Sequence, residues 1–384
     1  MGAIDLVAAE EVFAASTDCT VGIEEEFQVL DAASLDLAPR FEELRDLSAA
    51  DDPVLAESIA GELISSEIEI RSGRGEDFQD ALRRQRDVRA RLFALAEARG
   101  IALGATGTHP WADYRDQRNI ETEHYQRVVD GLQYVARRNN TFSLHVHVGA
   151  HDLDRAVRAC DRLRPVLPLL LAISANSPYL DARDSGLHSA RSQAFTKSFP
   201  RCGIPDAFGS WAAYREYIDF LLRTDAIMEY TQVWWSIRPH FAFGTVEVRI
   251  CDAQTSGTES EALAGLIVAC VAQALRDNDE RVPFADPARR LIEENFWRAI
   301  RYGLDGNLID LDRAEQFPAA AAIDRLLQWT APVRAELGIE PAFPALNGAQ
   351  RQRQAIAAGA SMQDVFSAAV RETSQTYVQE AKTA

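Results

Sequence analysis

Residues 20–30 read TVGIEEEFQVL, and this stretch decides the fold because apolar and acidic residues alternate along it. Successive side chains of a β-strand point to opposite faces of a sheet, so alternate positions share a face. The apolar face of the predicted strand consists of Val21, Ile23, Phe27 and Val29. The opposite face carries Glu24, Glu26 and Gln28, while Glu25 interrupts the apolar face. The stretch therefore predicts a half-buried strand with two carboxylates side by side.

A second segment of the same design is GELISSEIEIRSG, residues 61–73. Its isoleucines share one face of a predicted strand, and Glu67, Glu69 and Arg71 share the other. Glu62 enters from the preceding bend. Two acidic strands in one chain make a solvated surface a weaker explanation than it is for either strand alone.

The third segment, NNTFSLHVHVG at residues 139–149, places two imidazoles on one strand face. Its polar face holds Ser143, His145 and His147 opposite a fully apolar one. A single histidine is usually a structural residue. A pair on one face, in a chain with seven histidines, is explained equally well by contact with a metal or a phosphate.

The fourth segment, FGTVEVRICD at residues 243–252, alternates three aliphatic residues with polar ones. The predicted polar face consists of Thr245, Glu247, Arg249 and Cys251. A neighbouring glutamate and arginine can be a surface ion pair that contributes little. If the four strands form one sheet, however, their polar faces line a single surface with at least five glutamates.

So many like charges repel one another unless cations lie among them. Carboxylate oxygens with an occasional imidazole suit Mg²⁺ or Mn²⁺, whereas zinc sites prefer a few His and Cys ligands. The number of carboxylates indicates two or three ions. Such clusters serve phosphoryl chemistry with an arginine nearby, so ATP is the expected co-substrate. The chain has no GxxxxGK[ST] and no GxGxxG, so a nucleotide site of the P-loop or Rossmann kind is not expected.

Composition narrows the class of protein. The chain has 384 residues, 47% of them hydrophobic, which is enough for a sizeable core. A formal charge of −18 argues against binding to nucleic acid, which needs clustered Lys and Arg. The longest uncharged apolar stretch, 165–180, is too short for a membrane span, and the N-terminus lacks the basic region of a secretory signal, so we expect a cytoplasmic protein. Five dispersed cysteines indicate neither disulfides nor a zinc site.

The order of elements predicts one main domain. We expect residues 1–17 to be a flexible N-terminal segment and 18–384 a single catalytic domain, with a motif-bearing core over 18–275 and a helical part over 276–384. Periodicity predicts an amphipathic helix whose arginines form a solvated face, a helix broken by two prolines, and a helix that is apolar nearly all round. These helices cover residues 76–99, 152–176 and 259–276.

Together the four segments resemble the glutamate–cysteine ligase type 2 family of carboxylate–amine ligases, within the glutamine-synthetase-like superfamily. The resemblance covers roughly residues 18–275. Its marks are GIEEEF, ELISSEIEI, LHVHVG, SANSPYLDARDSGLHSARSQAF at 174–195, and WWSIRPHFAFGTVEVRICD at 234–252. The resemblance implies an α+β fold in which a curved antiparallel sheet, packed by helices, forms a funnel that ATP and the amino acid enter from opposite ends.

The resemblance also implies roles for individual residues. The implied metal ligands are Glu24, Glu26, Glu62, Glu69, His145 and Glu247. His145 also resembles a phosphate-contacting residue, Arg249 and Arg238 resemble arginines on the phosphate side, and Arg191 lies where the family has an arginine able to meet a substrate carboxylate. Glu67 and His147 have no role that the resemblance fixes.

The implied reaction joins glutamate to an amine. The γ-carboxylate attacks the γ-phosphate of ATP, and an amine then displaces phosphate from the acyl phosphate. The usual amine of the family is cysteine, which gives γ-glutamylcysteine. The partners are therefore small molecules, and because family members are often dimers, a homodimer is the assembly that the resemblance suggests.

Two other functions agree with the same residues. A metal-dependent amide hydrolase would also use an HxH strand and an acidic residue, with a metal-activated water as nucleophile. A non-catalytic homologue that binds ATP and metal would retain the fold without turnover. Strict dependence on ATP with release of ADP distinguishes the ligase from both.

Overall fold

The computed structural model describes residues 6–378, which contain eleven strands of two to eleven residues. The strands are β1 Val21–Asp31, β2 Ile59–Ala60, β3 Glu67–Arg71, β4 Ile101–Gly104, β5 Ser143–Gly149, β6 Tyr179–Leu180, β7 Arg183–Asp184, β8 Ile237–His240, β9 Thr245–Asp252, β10 Asn307–Asp310 and β11 Glu315–Pro318.

Helices make up most of the remaining regular structure. They are α1 Leu6–Ala14, α2 Phe41–Asp51, α3 Pro53–Ser58, α4 Phe78–Ala98, α5 Glu123–Leu132, α6 Tyr134–Arg137, α7 Leu153–Leu163, α8 Leu167–Ser174, α9 Trp211–Arg223, α10 Gly257–Asp279, α11 Arg289–Tyr302, α12 Ala322–Trp329, α13 Ala331–Leu337, α14 Gly348–Ala357 and α15 Met362–Val378.

One antiparallel sheet joins the four strands that the sequence predicts. Its order is β2-β3-β1-β5-β9-β8, and β4 pairs with the last residues of β1. The register places Glu24 opposite His145 and Glu26 opposite Glu69. The predicted α+β class, an antiparallel sheet packed by helices, is confirmed.

The apolar face of this sheet packs against helices. Helices α7, α8 and α10 lie against β5, β8 and β9, whereas α4 and α15 lie against β1, β3 and β4. Helix α10 is the one helix among residues 6–378 that is long and apolar enough to cross a membrane, yet 83% of its apolar window is buried inside the protein. It is therefore explained as the central core helix, and the cytoplasmic location stays a prediction.

The helices that periodicity predicts form close to their expected bounds. Helix α4 begins after Asp77, whose side chain accepts a hydrogen bond from the Asp80 amide, and it ends before Gly100, which has a φ of +64°. The prolines divide the second helical stretch into α7 and α8. The third predicted helix is α10, which is buried nearly all round.

The two ends of the chain depart from the prediction. The predicted flexible segment over 1–17 is wrong for residues 6–14, because α1 packs against the core with Phe13 fully buried; residues 1–5 lie outside the described part. The part after residue 276 is mainly helical, as predicted, but it also contains the hairpin of β10 and β11. Its last helix reaches the core, where the Tyr377 ring packs edge-on against Phe27.

The apolar side of β1 contains a buried cluster of charges. The Arg89 guanidinium donates to the Glu25 carboxylate, with a shortest distance of 2.6 Å, and to Glu261 at 2.6 Å. Gln85 and Ser260 also donate to Glu25. Arg89 is only 2% exposed, so the prediction that the arginines of this helix form a solvated face is wrong for Arg89. Arg89 thereby joins α4 and α10 to β1 at Glu25, which lies between the predicted metal ligands Glu24 and Glu26.

Replacing Arg89 with methionine should lower the free energy of unfolding by about 3–5 kcal/mol, because the substitution leaves the buried Glu25 carboxylate without its cation. Urea denaturation followed by circular dichroism measures the change.

Arg84→Met on the same helix is the matched control. Arg84 pairs with Asp80 at the surface, and an exposed pair of this kind contributes little to stability. Equal losses in the two variants would contradict a stabilising role for the buried ion pair.

Candidate metal and phosphate site

The polar faces of β1, β3, β5 and β9 bring the predicted ligands together. Three overlapping groups each offer ligand atoms that lie within 4.8 Å of one another. The groups are Glu24 with Glu69 and His145, Glu24 with His147 and Glu247, and Glu26 with Glu62 and Glu69. All six predicted ligands are therefore in one cluster, and His147 joins them.

His147 lies at one end of the cluster. Its Nδ1 is hydrogen-bonded to the Thr245 hydroxyl at 3.0 Å, which turns Nε2 toward the carboxylates. Nε2 is 3.3 Å from Glu24 and 3.8 Å from Glu247 and has no hydrogen-bond partner among the described residues. Burial alone would lower the pKa of His147, but the two carboxylates raise it above its usual value. When protonated, Nε2 forms ion pairs with these carboxylates, and when deprotonated it can bind a cation.

His145 occupies the centre of the cluster. Its Nδ1 lies 3.2 Å from Glu24, and its Nε2 is hydrogen-bonded to the Ser143 hydroxyl at 2.7 Å. Burial, together with the charge of Arg249, lowers the pKa of His145, so the ring is neutral near physiological pH. A neutral imidazole is the form that binds a metal ion.

The end of the cluster near β3 has an excess of negative charge. Burial raises the pKa of Glu62 to about 8, and the charge of Glu26 adds to the effect. The pKa values of Glu67 and Glu69 are also raised, by burial first and by neighbouring carboxylates second. Glu67 is 1% exposed and pairs across the strands with Gln28, and its Oε2 has no hydrogen-bond partner in residues 6–378. Protons compensate this end of the cluster only in part.

Two arginines compensate the opposite end. Arg238 donates from Nε to Glu247 at 2.5 Å and from Nη1 to the carbonyl of Val233 at 2.6 Å. Arg249 also donates to Glu247, and its Nη1 lies 3.5 Å from His145. Burial would raise the pKa of Glu247, but the arginines hold it well below its usual range. The two predicted phosphate-side arginines thus lie beside Glu247 and offset its charge.

These residues fit divalent ions such as Mg²⁺. The donor atoms are carboxylate oxygens with one or two imidazole nitrogens, which is a set for hard cations. Glutamates whose pKa is raised by burial and by neighbouring carboxylates become easier to ionise when a cation lies between them. Three overlapping groups that share Glu24 and Glu69 also suit more than one ion.

The remaining predicted site residue, Arg191, lies outside this cluster. Its guanidinium is 2% exposed and donates to the carbonyls of Arg249 at 3.1 Å and Ile250 at 3.0 Å. Its Nη1 and Nη2 therefore serve the backbone of β9, Nε has no hydrogen-bond partner among the described residues, and contact of Arg191 with a substrate carboxylate stays a prediction.

The predicted polar face of β9 needs one correction. Cys251 packs in the hydrophobic core, not beside Arg249. The reason is a β-bulge, since Val248 pairs with Val146 whereas Cys251 pairs with Leu144. One extra residue in β9 shifts the alternation that the sequence predicts.

Sequence reasoning left the role of His147 open and did not single out the residues that orient the imidazoles. Ser143 and Thr245 stood on the predicted polar faces, next to the imidazoles with which they are hydrogen-bonded. Pairing of two polar faces in one sheet is the signal that could have identified them.

Comparison with protein families gives one match along most of the chain. The sequence model of the Glutamate-cysteine ligase family 2 matches residues 20–384. A protein of Solibacter usitatus, named as a proposed glutamate–cysteine ligase 2, is 36% identical over 361 residues, which is 92% of this chain and 93% of the relative. A protein of Sorangium cellulosum with the same name is 39% identical and covers 81% of this chain and 82% of its own length.

Comparison with solved structures supports the same fold. A glutamate–cysteine ligase from Francisella tularensis in complex with AMP superposes with a TM-score of 0.68 at 12% identity, covering 94% of this chain and 89% of that one. A bifunctional glutathione synthetase from Pasteurella multocida superposes with a TM-score of 0.65 at 12% identity, covering 97% of this chain and 54% of the other.

The metal-free protein should become less stable as the pH rises. The pKa of Glu62 goes from its usual 4.5 to about 8 in the folded state, so the folded protein holds a proton that the unfolded chain has lost between these values. Stability is therefore greatest below the lower value and decreases through that window. Thermal unfolding in EDTA, followed from about pH 5 to about pH 8, measures the decrease.

Mg²⁺ should raise the midpoint of unfolding, and more so at the alkaline end, because a cation replaces the proton. The variant Glu62→Gln should show a weaker dependence on pH. A midpoint of thermal unfolding that changes with neither pH nor Mg²⁺ would contradict the assignment of the cluster as a metal site.

Proposed function

Because the chain belongs to the glutamate–cysteine ligase family 2, we propose that it is an ATP-dependent carboxylate–amine ligase that joins glutamate to cysteine or to another amine. The observation that carries this proposal is the polar sheet face on which three overlapping ligand groups lie beside the buried Arg238 and the partly exposed Arg249. Phosphoryl transfer depends on positioning and on neutralising charge, and this surface offers both.

Two or three Mg²⁺ or Mn²⁺ ions are the proposed cofactors. Their ligands would be the six predicted residues together with His147, which belongs to the same group as Glu24 and Glu247. Bound there, the ions would neutralise ATP and the attacking carboxylate, which otherwise repel each other.

ATP is the proposed co-substrate, bound toward the end of the cluster that carries the arginines. A phosphate needs donors, and Arg249, whose side chain is 16% exposed, is the more accessible of the two. Arg238 is buried and held by Glu247 and a backbone carbonyl, so it would act mainly by fixing that carboxylate. The AMP bound to the Francisella tularensis ligase adds support for a nucleotide in this fold.

The proposed reaction has two steps. An oxygen of the γ-carboxylate of glutamate forms a bond to the γ-phosphorus of ATP, and ADP leaves. The ammonium group of the amine loses one proton to become nucleophilic, its nitrogen bonds to the acyl carbon, phosphate leaves from that carbon, and the nitrogen loses a second proton to give the amide. Charge develops on the phosphoryl oxygens in the first step, and Arg249, whose Nη1 lies 3.5 Å from His145, would be the donor that offsets it.

An assay of ADP release with glutamate and a panel of amines, cysteine among them, tests the proposal. We expect Mg²⁺-dependent turnover with at least one amine. Glu247→Gln should lower kcat by roughly 100-fold or more. The substitution removes the negative charge that pairs with Arg238 and Arg249, and it removes a proposed metal ligand.

Glu315→Gln, on the exposed strand β11, is the matched control and should leave turnover unchanged. Circular dichroism of both variants verifies that they are folded. Amide hydrolysis without ATP would establish the hydrolase instead, and calorimetry without Mg²⁺-dependent ATP binding would contradict both the ligase and a non-catalytic ATP-binding homologue.

A further inference from the structure

The strand that carries Arg249 is irregular at this residue. Arg249 and Ile250 both lie opposite His145 because β9 contains one residue more than the matching part of β5. A bulge of this kind interrupts the hydrogen-bond ladder and changes the direction of side chains, and bulges are frequent beside active sites. Here the bulge leaves Arg249 on the polar face, with its guanidinium bonded to Glu247.

One side chain holds both residues of the bulge. Arg191 donates from Nη1 to the carbonyl of Ile250 at 3.0 Å and from Nη2 to the carbonyl of Arg249 at 3.1 Å. The guanidinium is planar and rigid, so it fixes the two carbonyls relative to each other. Two carbonyls whose ladder is disrupted thereby gain charge-assisted hydrogen bonds.

A buried carboxylate lies beside the Arg191 guanidinium. Nη1 of Arg191 lies 3.7 Å from Asp252, a fully buried carboxylate at the end of β9. Asp252 accepts hydrogen bonds from the hydroxyls of Ser177 at 2.6 Å and Ser189 at 2.8 Å, and from the amide of Asn176 at 2.9 Å. The chain that follows α8 is therefore anchored to the same strand as the bulge.

We propose that Arg191 is a positioning residue for Arg249. By fixing the bulge, Arg191 sets the direction in which the Arg249 guanidinium meets Glu247 and, in the proposed ligase reaction on which this inference rests, the transferring phosphoryl group. The role differs from contact with a substrate carboxylate, because Nη1 and Nη2 of Arg191 donate to backbone carbonyls and the buried side chain leaves only Nε without a hydrogen-bond partner in residues 6–378.

Steady-state kinetics of Arg191→Lys separate the two roles. A lysine keeps the charge but cannot hold two carbonyls in one plane. A displaced Arg249 should lower kcat for ADP release roughly 10- to 100-fold, while KM for glutamate and for ATP stays within about threefold. A raised KM for glutamate with an unchanged kcat would overturn the proposal in favour of a substrate contact.

Arg164→Lys is the matched control. Arg164 is equally buried, at 2%, and its side chain donates to Asp286 and to the carbonyl of Pro287, outside the cluster. This variant should lose stability but keep its kcat. If both variants lose kcat to the same extent, the effect is general destabilisation and the proposal is wrong.

Amide hydrogen exchange of β9 gives a readout that does not depend on turnover. Arg191→Lys should accelerate exchange in 245–252 relative to the wild type, whereas Arg164→Lys should not. If the wild type releases no ADP with any amine, the proposed function fails, and the exchange experiment still decides the positioning role; unchanged protection of β9 overturns that role.

If Arg191→Lys does not fold, Ser189→Ala provides a milder test. It removes one hydrogen bond from Asp252, the carboxylate that lies against Arg191. A smaller fall in kcat with unchanged KM values supports the proposal, and an unchanged kcat contradicts it.

Discussion

Mutual repulsion among carboxylates on one buried sheet face is the constraint on which the rest of the structure depends. The register forces Glu26 opposite Glu69, and Glu62 closes on the same space from a bend. At the arginine end, the buried Arg238 and the partly exposed Arg249 offset the charge of Glu247. At the other end, Arg71 lies 3.8 Å from Glu69, and the raised pKa values of Glu62 and Glu69 favour protonated carboxylates, whose protons an added cation would replace. In the proposed function a phosphate would bind at the arginine end, and metal ions would lie among the carboxylates.

Strand β1 carries charged residues on both of its faces, and their interactions fix the orientation of the strand in the sheet. Its polar face carries Glu24 and Glu26, and its opposite face carries Glu25 in an ion pair with Arg89. Burying an ion pair contributes little net stability, but breaking one is costly, so the strand cannot rotate or slip without exposing an uncompensated charge. The same interaction ties α4 and α10 to the site, and the ring of Tyr377 packs over the Arg89 guanidinium. Helices α4, α10 and α15, which are distant in sequence, therefore all help to hold β1 and its predicted metal ligands in place.

Positions within regular strands were predictable because strand periodicity is local. Residues of one strand take opposite faces whatever surrounds them, so the segments at 20–30 and 139–149 revealed their polar and apolar sides directly. Where a residue's surroundings depend on distant segments, prediction failed. The helical pattern predicts that Arg89 belongs to a solvated face, but in the fold Arg89 forms ion pairs with Glu25 and Glu261. The sequence predicts a flexible segment where α1 forms, but the apolar side of α1 packs against the core.

By itself, the sequence determined four strand segments and the residue types on their polar faces, because alternation and composition are properties of each strand alone. Only the tertiary structure decided the pairing that groups those residues by threes, the bulge that moves Cys251 into the core, and the burial of Arg191 beneath β9. These features arise from contacts between segments that are far apart in the sequence, such as the 58 residues between Arg191 and Arg249. Strand register and buried charge pairing are set by the free energy of the whole packed fold, and no local pattern encodes them.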